Sequence, residues 1–289
     1  MRILIFGITG MLGHVLWLEL KKAHEAFGAV RGPKERLNIY GAVYKSDAAH
    51  IIDNTDVFHE AAIDKAVDVS EPEVIINCIG IIKQVPAARD PVIAIAVNSL
   101  FPHVLAKKCS EKGIRLIHIS TDCVFSGKKG GYVETDLPDA EDLYGRTKLL
   151  GEVTGPKCLT LRTSLIGREL SGANGLLEWF LSQTGKRVNG YQKAIFSGLT
   201  TYAMSKVMRE LVEKHQALEG LYHVSSEPLA KYDLLHGLKR RLSLNVDLVP
   251  DQSCVVDRSL DSTRFREATG AVIPSWDEML EELAARIRQ

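Results

Sequence analysis

Apolar positions in the first 165 residues fall into short runs separated by longer amphipathic segments. Ile3–Phe6, Ala26–Val30, His50–Ile52, Val74–Ile79, Arg115–Ser120 and Leu159–Arg162 read as strands. Several are apolar throughout instead of alternating, as strands are when helices cover both faces of a parallel sheet. Leu12–Lys22, Asp56–Val69, Val92–Lys112 and Leu143–Val153 carry helical patterns between them. Strand–helix alternation predicts an α/β fold, a doubly wound parallel sheet with right-handed crossovers. After about residue 165 the rhythm changes. Gly167–Gly175 and Gly185–Gly198 are irregular, and helices return at Tyr202–His215, Tyr232–Leu242 and Trp276–Arg288. The expected division is a cofactor portion over residues 1–165 and a smaller α/β substrate portion over 166–289, with a soft boundary because no linker separates them.

Composition narrows the class only a little. The 289 residues are 45% hydrophobic and 25% charged, with 36 basic residues against 36 acidic ones. Zero formal charge argues against nucleic-acid or membrane-surface binding, which draws on a basic excess. Cys78, Cys109, Cys123, Cys158 and Cys254 are odd in number and never spaced Cys-x-x-Cys. That pattern points away from disulfides and structural zinc and towards a reducing, cytoplasmic setting. Gly7 and Gly10 break the apolar N-terminal run, so it is not expected to be a signal peptide. Val74–Ile82, taken as the longest apolar stretch, is too short to span a bilayer.

Chemistry enters with Gly7-Ile8-Thr9-Gly10-Met11-Leu12-Gly13, which follows the first strand and opens a helix. Glycines there allow a tight turn and close backbone approach to a pyrophosphate, and the helix N–H groups face the phosphates. Gly7, Thr9, Gly10, Met11, Leu12 and Gly13 are therefore candidate cofactor contacts. The second strand ends in Arg31, with Lys34 and Arg36 close behind. A cation at that position suits a ribose 2′-phosphate, so NADPH is expected, with NADH as the alternative. Asp53, ending the third strand, is a candidate for the adenine ring or for a helix N-cap.

Two Tyr-x-x-x-Lys pairs occur, Tyr144/Lys148 and Tyr202/Lys206. The first follows Ser120-Thr121-Asp122, at a strand end where open α/β sheets bind ligands, and is preferred. Residues four apart share a helix face, so a lysine beside the phenol would lower its pKa towards working pH. Tyr144 would then give a proton to a carbonyl oxygen as hydride arrives, and Thr121 would hold that oxygen. Nine histidines without His-Glu-x-x-His spacing give no metal site.

At Gly7–Gly13, Ser120–Gly127, Tyr144–Glu152 and Leu161–Ser164 the chain resembles the extended short-chain dehydrogenase/reductases. Within them it looks most like the dTDP-4-dehydrorhamnose reductases and related sugar-nucleotide reductases. The resemblance implies a Rossmann domain and a smaller C-terminal substrate domain. It implies Thr121, Tyr144 and Lys148 as the catalytic set, with Tyr144 and Lys148 also on the cofactor. It places Asn77, Cys78, Gly80 and Asn98 near the cofactor, and Ser120, Asp122, Asn174, Gly175, the stretch Phe196–Thr200 and Arg258 near the substrate. Arg187, Lys193 and Arg258 are the cations considered for a sugar diphosphate. Cys123 stands where relatives usually carry Tyr, and Ser126 where an acidic residue is common, which leaves the sugar open. The expected reaction is NADPH-dependent reduction of a 4-keto group on a nucleotide-linked deoxysugar, in polysaccharide biosynthesis. The alternatives are an epimerase or dehydratase of the same family, or a regulatory subunit like the β-subunit of methionine adenosyltransferase. A homodimer is compatible with any of these.

Overall fold

A computed structural model of the chain describes residues 1–45 and 47–288. Seven strands make one sheet: β1 (Arg2–Phe6), β2 (Glu25–Ala29), β3 (Ile51–Ile52), β4 (Val74–Asn77), β5 (Arg115–Thr121), β6 (Cys158–Thr163) and β7 (Gly220–His223). Their order is β7-β6-β5-β4-β1-β2-β3 and every neighbouring pair is parallel. The helices that matter below are α1 (Gly13–Leu20), α2 (Glu60–Ser70), α3 (Pro91–Lys112), α4 (Leu143–Leu150), α5 (Leu176–Leu181), α6 (Thr201–Lys214), α7 (Lys231–Leu242) and α8 (Trp276–Arg288).

The continuous apolar runs have the predicted cause, since both faces of the sheet are covered. Ile3 and Ile5 join Trp17, Leu20, Met204 and Met208 on one side, beneath α1 and α6. Leu4 and Phe6 join Ile63, Val67, Phe101 and Leu105 on the other, beneath α2 and α3. Each such side chain, fully buried, contributes about 1.5–3 kcal/mol. A third core of Leu177, Phe180, Leu234, Leu238, Leu280 and Leu283 lies under α5, α7 and α8.

Two features depart from the sequence reading. Residues 201–223 lie beyond position 165, yet α6 packs on α1 and β7 completes the first sheet. Gly220-Leu221-Tyr222-His223 has no apolar run to announce it, because it is an edge strand only four residues long. In addition, Val74–Ile82 is not the longest apolar stretch: Pro91–Lys112 is long and apolar enough to cross a membrane by length and composition. Half of its most apolar window is buried, and Phe101 and Leu105 belong to the core under the sheet.

One turn of α3, Ala96–Leu100, is a π-helix. The cause is legible at Pro102, which has no N–H to give to the carbonyl of Asn98 and whose ring would collide with it. The ladder therefore widens, and the N–H of Phe101 reaches the carbonyl of Ala96.

Trp17 is fully buried between the sheet and α6. Trp17→Ala is expected to lower the unfolding free energy by about 3–5 kcal/mol, measured by urea denaturation.

Candidate active site

β1 lies between β2 and β4, so the chain leaves it to one side and returns on the other. A parallel sheet opens a crevice at such a reversal, at the carboxyl ends of the strands. The cleft found there has a volume of ≈ 460 Å³. Thr9, Gly10, Met11 and Leu12 line it from the turn after β1, Cys78 and Gly80 from the turn after β4, and Ser120, Thr121, Asp122 and Cys123 from the end of β5. Tyr144 and Lys148 enter from α4.

Gly7 and Gly13 do not line the cleft; they make the turn possible. Gly7 has φ +85°, and a Cβ on Gly13 would sit 2.0 Å from the carbonyl oxygen of Gly7. Only a bare backbone lets α1 start this close to β1, with its N-terminal end directly behind the cleft-lining Met11 and Leu12. A turn of this shape suits a phosphate group.

Asp142 caps α4 by accepting the N–H of Gly145 at 2.7 Å. Tyr144 and Lys148 then share the face turned to the end of β5. The Thr121 hydroxyl donates to Asp122 Oδ1 at 3.1 Å, accepts from Cys123 N at 3.1 Å and lies beside the Tyr144 phenol. Lys148 Nζ donates to the carbonyl of Ile119 at 2.7 Å. Burial pulls the Lys148 ammonium down to about 8, while Glu152 and then Cys78 act to raise it. The phenol behaves differently from the expectation. Burial drives the Tyr144 pKa upwards, Cys123 adds to the rise, and the Thr121 hydroxyl opposes it. Burial outweighs the Thr121 hydroxyl, so Tyr144 is held as a neutral phenol, a proton donor. Burial likewise pushes the Cys78 and Cys123 thiols up to about 12. Neither is a thiolate nucleophile at neutral pH.

Behind this wall is a buried polar layer. Glu152 accepts from Arg162 Nε at 2.8 Å and Nη2 at 2.7 Å, and from Ser120 Oγ at 2.7 Å. Its side chain is 8% exposed and that of Arg162 4%. Arg162 also faces His223 Nε2 at 3.3 Å. The close approach of α4 to α3 depends on Gly151, where a Cβ would lie 1.9 Å from the Asn98 carbonyl oxygen, the one left without its helical partner by Pro102.

The remaining sequence candidates divide clearly. Asn77 is fully buried; its Oδ1 accepts from Ile79 N at 3.0 Å and its Nδ2 meets His118 Nδ1 at 3.1 Å. Asn98 uses its amide on both backbone groups of Ile81, at 2.8 and 3.1 Å, and on Thr147 Oγ1 at 3.2 Å. Both asparagines therefore brace the cleft wall from behind and do not line it. Arg31 stands exposed just past β2, outside the cleft lining, and forms no ion pair among the described residues. Asp53 also lies outside the lining, and it caps no helix, since α2 starts at Glu60 behind His59. Asn174 is exposed and only its backbone N–H is engaged, by Glu169 at 2.9 Å; its neighbour Gly175 does line the cleft.

Of the stretch Phe196–Thr200 only Phe196 reaches the cleft; Thr200 caps α6 through Ala203 N at 3.3 Å. Arg258 lines it and donates to the Phe125 carbonyl at 2.8 Å. Arg187 lies instead 3.7 Å from Asp247 on an exposed strand pair, and Lys193 is outside the cleft. Tyr202 and Lys206 face α8, where Lys206 Nζ meets Glu282 at 2.8 Å and Arg286 covers the Tyr202 ring. Sequence reasoning missed Lys83 and Lys231, both in the lining. Lys231 opens a helix that the periodicity had shown, at an end where exposed and buried cations look alike in sequence.

The model of the family described as RmlD substrate binding domain matches residues 1–289. The chain is 27% identical over 234 residues to a probable low-salt glycan biosynthesis reductase of Haloferax volcanii, covering 77% of this chain and 74% of that one. It is 33% identical over 134 residues to a dTDP-4-dehydrorhamnose reductase of Mycobacterium tuberculosis, covering 39% of this chain and 44% of that one. Its fold matches the crystal structure of a dTDP-4-dehydrorhamnose reductase from Bacillus anthracis in complex with NADP, with a TM-score of 0.79, 22% identity and 99% of each chain covered.

Gly151→Ala should force α4 away from the π-turn of α3. A loss of about 1–3 kcal/mol or more in urea denaturation is expected from this overpacking, and an unchanged midpoint would show that the two helices can separate without cost.

Proposed function

The chain belongs to the RmlD substrate binding domain family, a branch of the extended short-chain dehydrogenase/reductases, and on that premise we propose that it reduces a keto group on a nucleotide-linked sugar. The observation that carries this reading is the meeting of Thr121, Tyr144 and Lys148 in one cleft with the glycine turn of Gly7–Gly13. A reduced nicotinamide, when bound, supplies the hydride that adds to the carbonyl carbon. Thr9, Gly10, Met11 and Leu12 hold its phosphates at the start of α1. Lys148 keeps further N–H donors, beyond the one given to Ile119, for ribose hydroxyls. Tyr144 gives its phenol proton to the carbonyl oxygen, and the Thr121 hydroxyl orients both. NADPH is the expected cofactor because the exposed cations Arg31, Lys34 and Arg36 follow the end of β2, where a 2′-phosphate would lie.

The substrate is proposed to be a nucleoside-diphosphate 4-keto-deoxysugar. Lys83, Lys231 and Arg258 bring three cations to the cleft, suited to a diphosphate. Residues 166–289 contribute Phe196, Lys231 and Arg258 to this side, the basis for reading them as mainly the substrate portion and residues 1–165 as the cofactor portion. The deciding experiment follows absorbance of the reduced nicotinamide with purified protein, NADPH and a panel of dTDP-, GDP- and UDP-linked 4-keto-6-deoxysugars. Oxidation with one member supports the reductase and identifies its substrate. No oxidation with any member, despite measurable NADPH binding, overturns it.

Tyr144→Phe removes only the proton donor. Turnover should fall at least about 100-fold with NADPH affinity retained, and normal turnover would sink the assignment. Arg31→Ala should weaken NADPH about tenfold or more while leaving NADH nearly unchanged, as expected when a charge-assisted contact to phosphate is lost; equal losses for both cofactors would remove Arg31 from this role.

A further inference from the structure

Lys148 is an ammonium in a setting that works against its charge. It is 4% exposed, and its one recorded hydrogen bond goes to a neutral carbonyl, that of Ile119 at 2.7 Å. No carboxylate lies within ion-pair distance of it among the described residues. The groups that face it come from four elements and are nearly all neutral. Tyr144 on its own helix and Cys78 after β4 are kept protonated by burial. His118 on β5 is held well below its ordinary pKa, by burial first and then by Lys148 itself. Asn98 on α3 carries no charge, and its amide faces the same small space beside Gly80. The carboxylate that acts on Lys148 is Glu152, four residues further along the chain.

Glu152 is anchored away from the lysine. Arg162 grips both of its oxygens and Ser120 one of them, so the carboxylate lies under the end of β5 and not against Nζ. A direct salt bridge would consume the lysine donors that a ligand needs. A carboxylate pinned beyond ion-pair distance favours the ammonium through its field, against the opposing charge of Arg162, and leaves those donors available. The same three residues tie together both elements that carry the site. Ser120 lies between Ile119, which holds Lys148, and Thr121, which lies beside Tyr144.

We propose that Glu152 is a positioning residue for Lys148: pinned by Arg162 and Ser120, it keeps the cleft ammonium charged at neutral pH without touching it. The inference rests on the reading of Lys148 as part of the reductase site, and its test needs neither cofactor nor substrate.

The full-length protein is labelled with ¹³C at lysine Cε, and the Lys148 resonance is identified by its loss in Lys148→Met. Its chemical shift is then followed against pH. Removing Glu152 alone strands a buried guanidinium and endangers the fold. Two neutral replacements of the pair are therefore compared, Glu152→Gln/Arg162→Met and Glu152→Gln/Arg162→Gln. In the wild type the midpoint should lie near 8. In a double variant with native circular dichroism it should fall by about one pH unit or more, a tenfold change in the protonation equilibrium. An unmoved midpoint in either folded variant makes the pair purely structural and overturns the proposal, as does a wild-type midpoint at the ordinary lysine value. If a keto-sugar is reduced, the alkaline limb of kcat/KM should move to lower pH by the same amount, because Lys148 acts as the ammonium. A shifted midpoint in a protein that oxidises no NADPH would leave this inference standing and reject the reductase reading alone.

Discussion

A fully parallel sheet has no face to give to water, and the rest of this structure follows from that constraint. Ile3 and Ile5 go to one layer of helices, Leu4 and Phe6 to the other, so strands on both sides must be apolar. Polar chemistry is then confined to the carboxyl edge, where strands end and helices have not begun. At the reversal between β1 and β4 two turns diverge and leave a cleft between them. The glycine turn, the Ser120–Cys123 segment and the Tyr144/Lys148 face of α4 meet there because no other part of the sheet could receive them.

One exception to the apolar rule lies directly behind the cleft. Asn77, His118, Ser120, Glu152, Arg162 and His223 form a polar layer between β4–β7 and the helices that carry the site. Burying such groups costs several kcal/mol each unless they are hydrogen-bonded. Nearly all are: Asn77 with His118, Ser120 and Arg162 with Glu152, and His223 Nδ1 with the Tyr132 carbonyl at 3.0 Å. His118 Nε2 is the group in this layer without a recorded partner among the described residues. A well-packed apolar layer would be at least as stable. What the polar layer does is join elements: Glu152, just past the end of α4, meets Ser120 of β5 and Arg162 of β6.

The chain as a whole is neutral, and the cleft is not. Lys83, Lys231 and Arg258 all line it, and the buried Asp122 carboxyl, pushed up by burial, faces the last two. A balanced total charge is the sum of many surface ion pairs, each worth little. It says nothing about where three cations converge.

How much of this was legible depends on the distance over which each feature is decided. The sequence by itself determined six of the seven strands, because continuous apolar runs are a local pattern, and it determined the Gly7–Gly13 turn, since close backbone approach tolerates no side chain. It also separated Tyr144/Lys148 from Tyr202/Lys206, because only the first pair lies within the alternating strand–helix region, after Ser120-Thr121-Asp122. Pro102 stands inside the predicted helix Val92–Lys112, and its effect on Asn98 needed the helix around it. Only the tertiary structure decided that Asn77 and Asn98 turn behind the wall, that Lys231 enters the cleft while Arg187 does not, and that Glu152 meets Arg162 beneath Ser120. Those outcomes hang on which segments pack against which, over tens of residues of chain. A polar side chain carries no mark in sequence of whether it will be bonded inside, aimed at a ligand or left in water; the packing of its neighbours makes that choice.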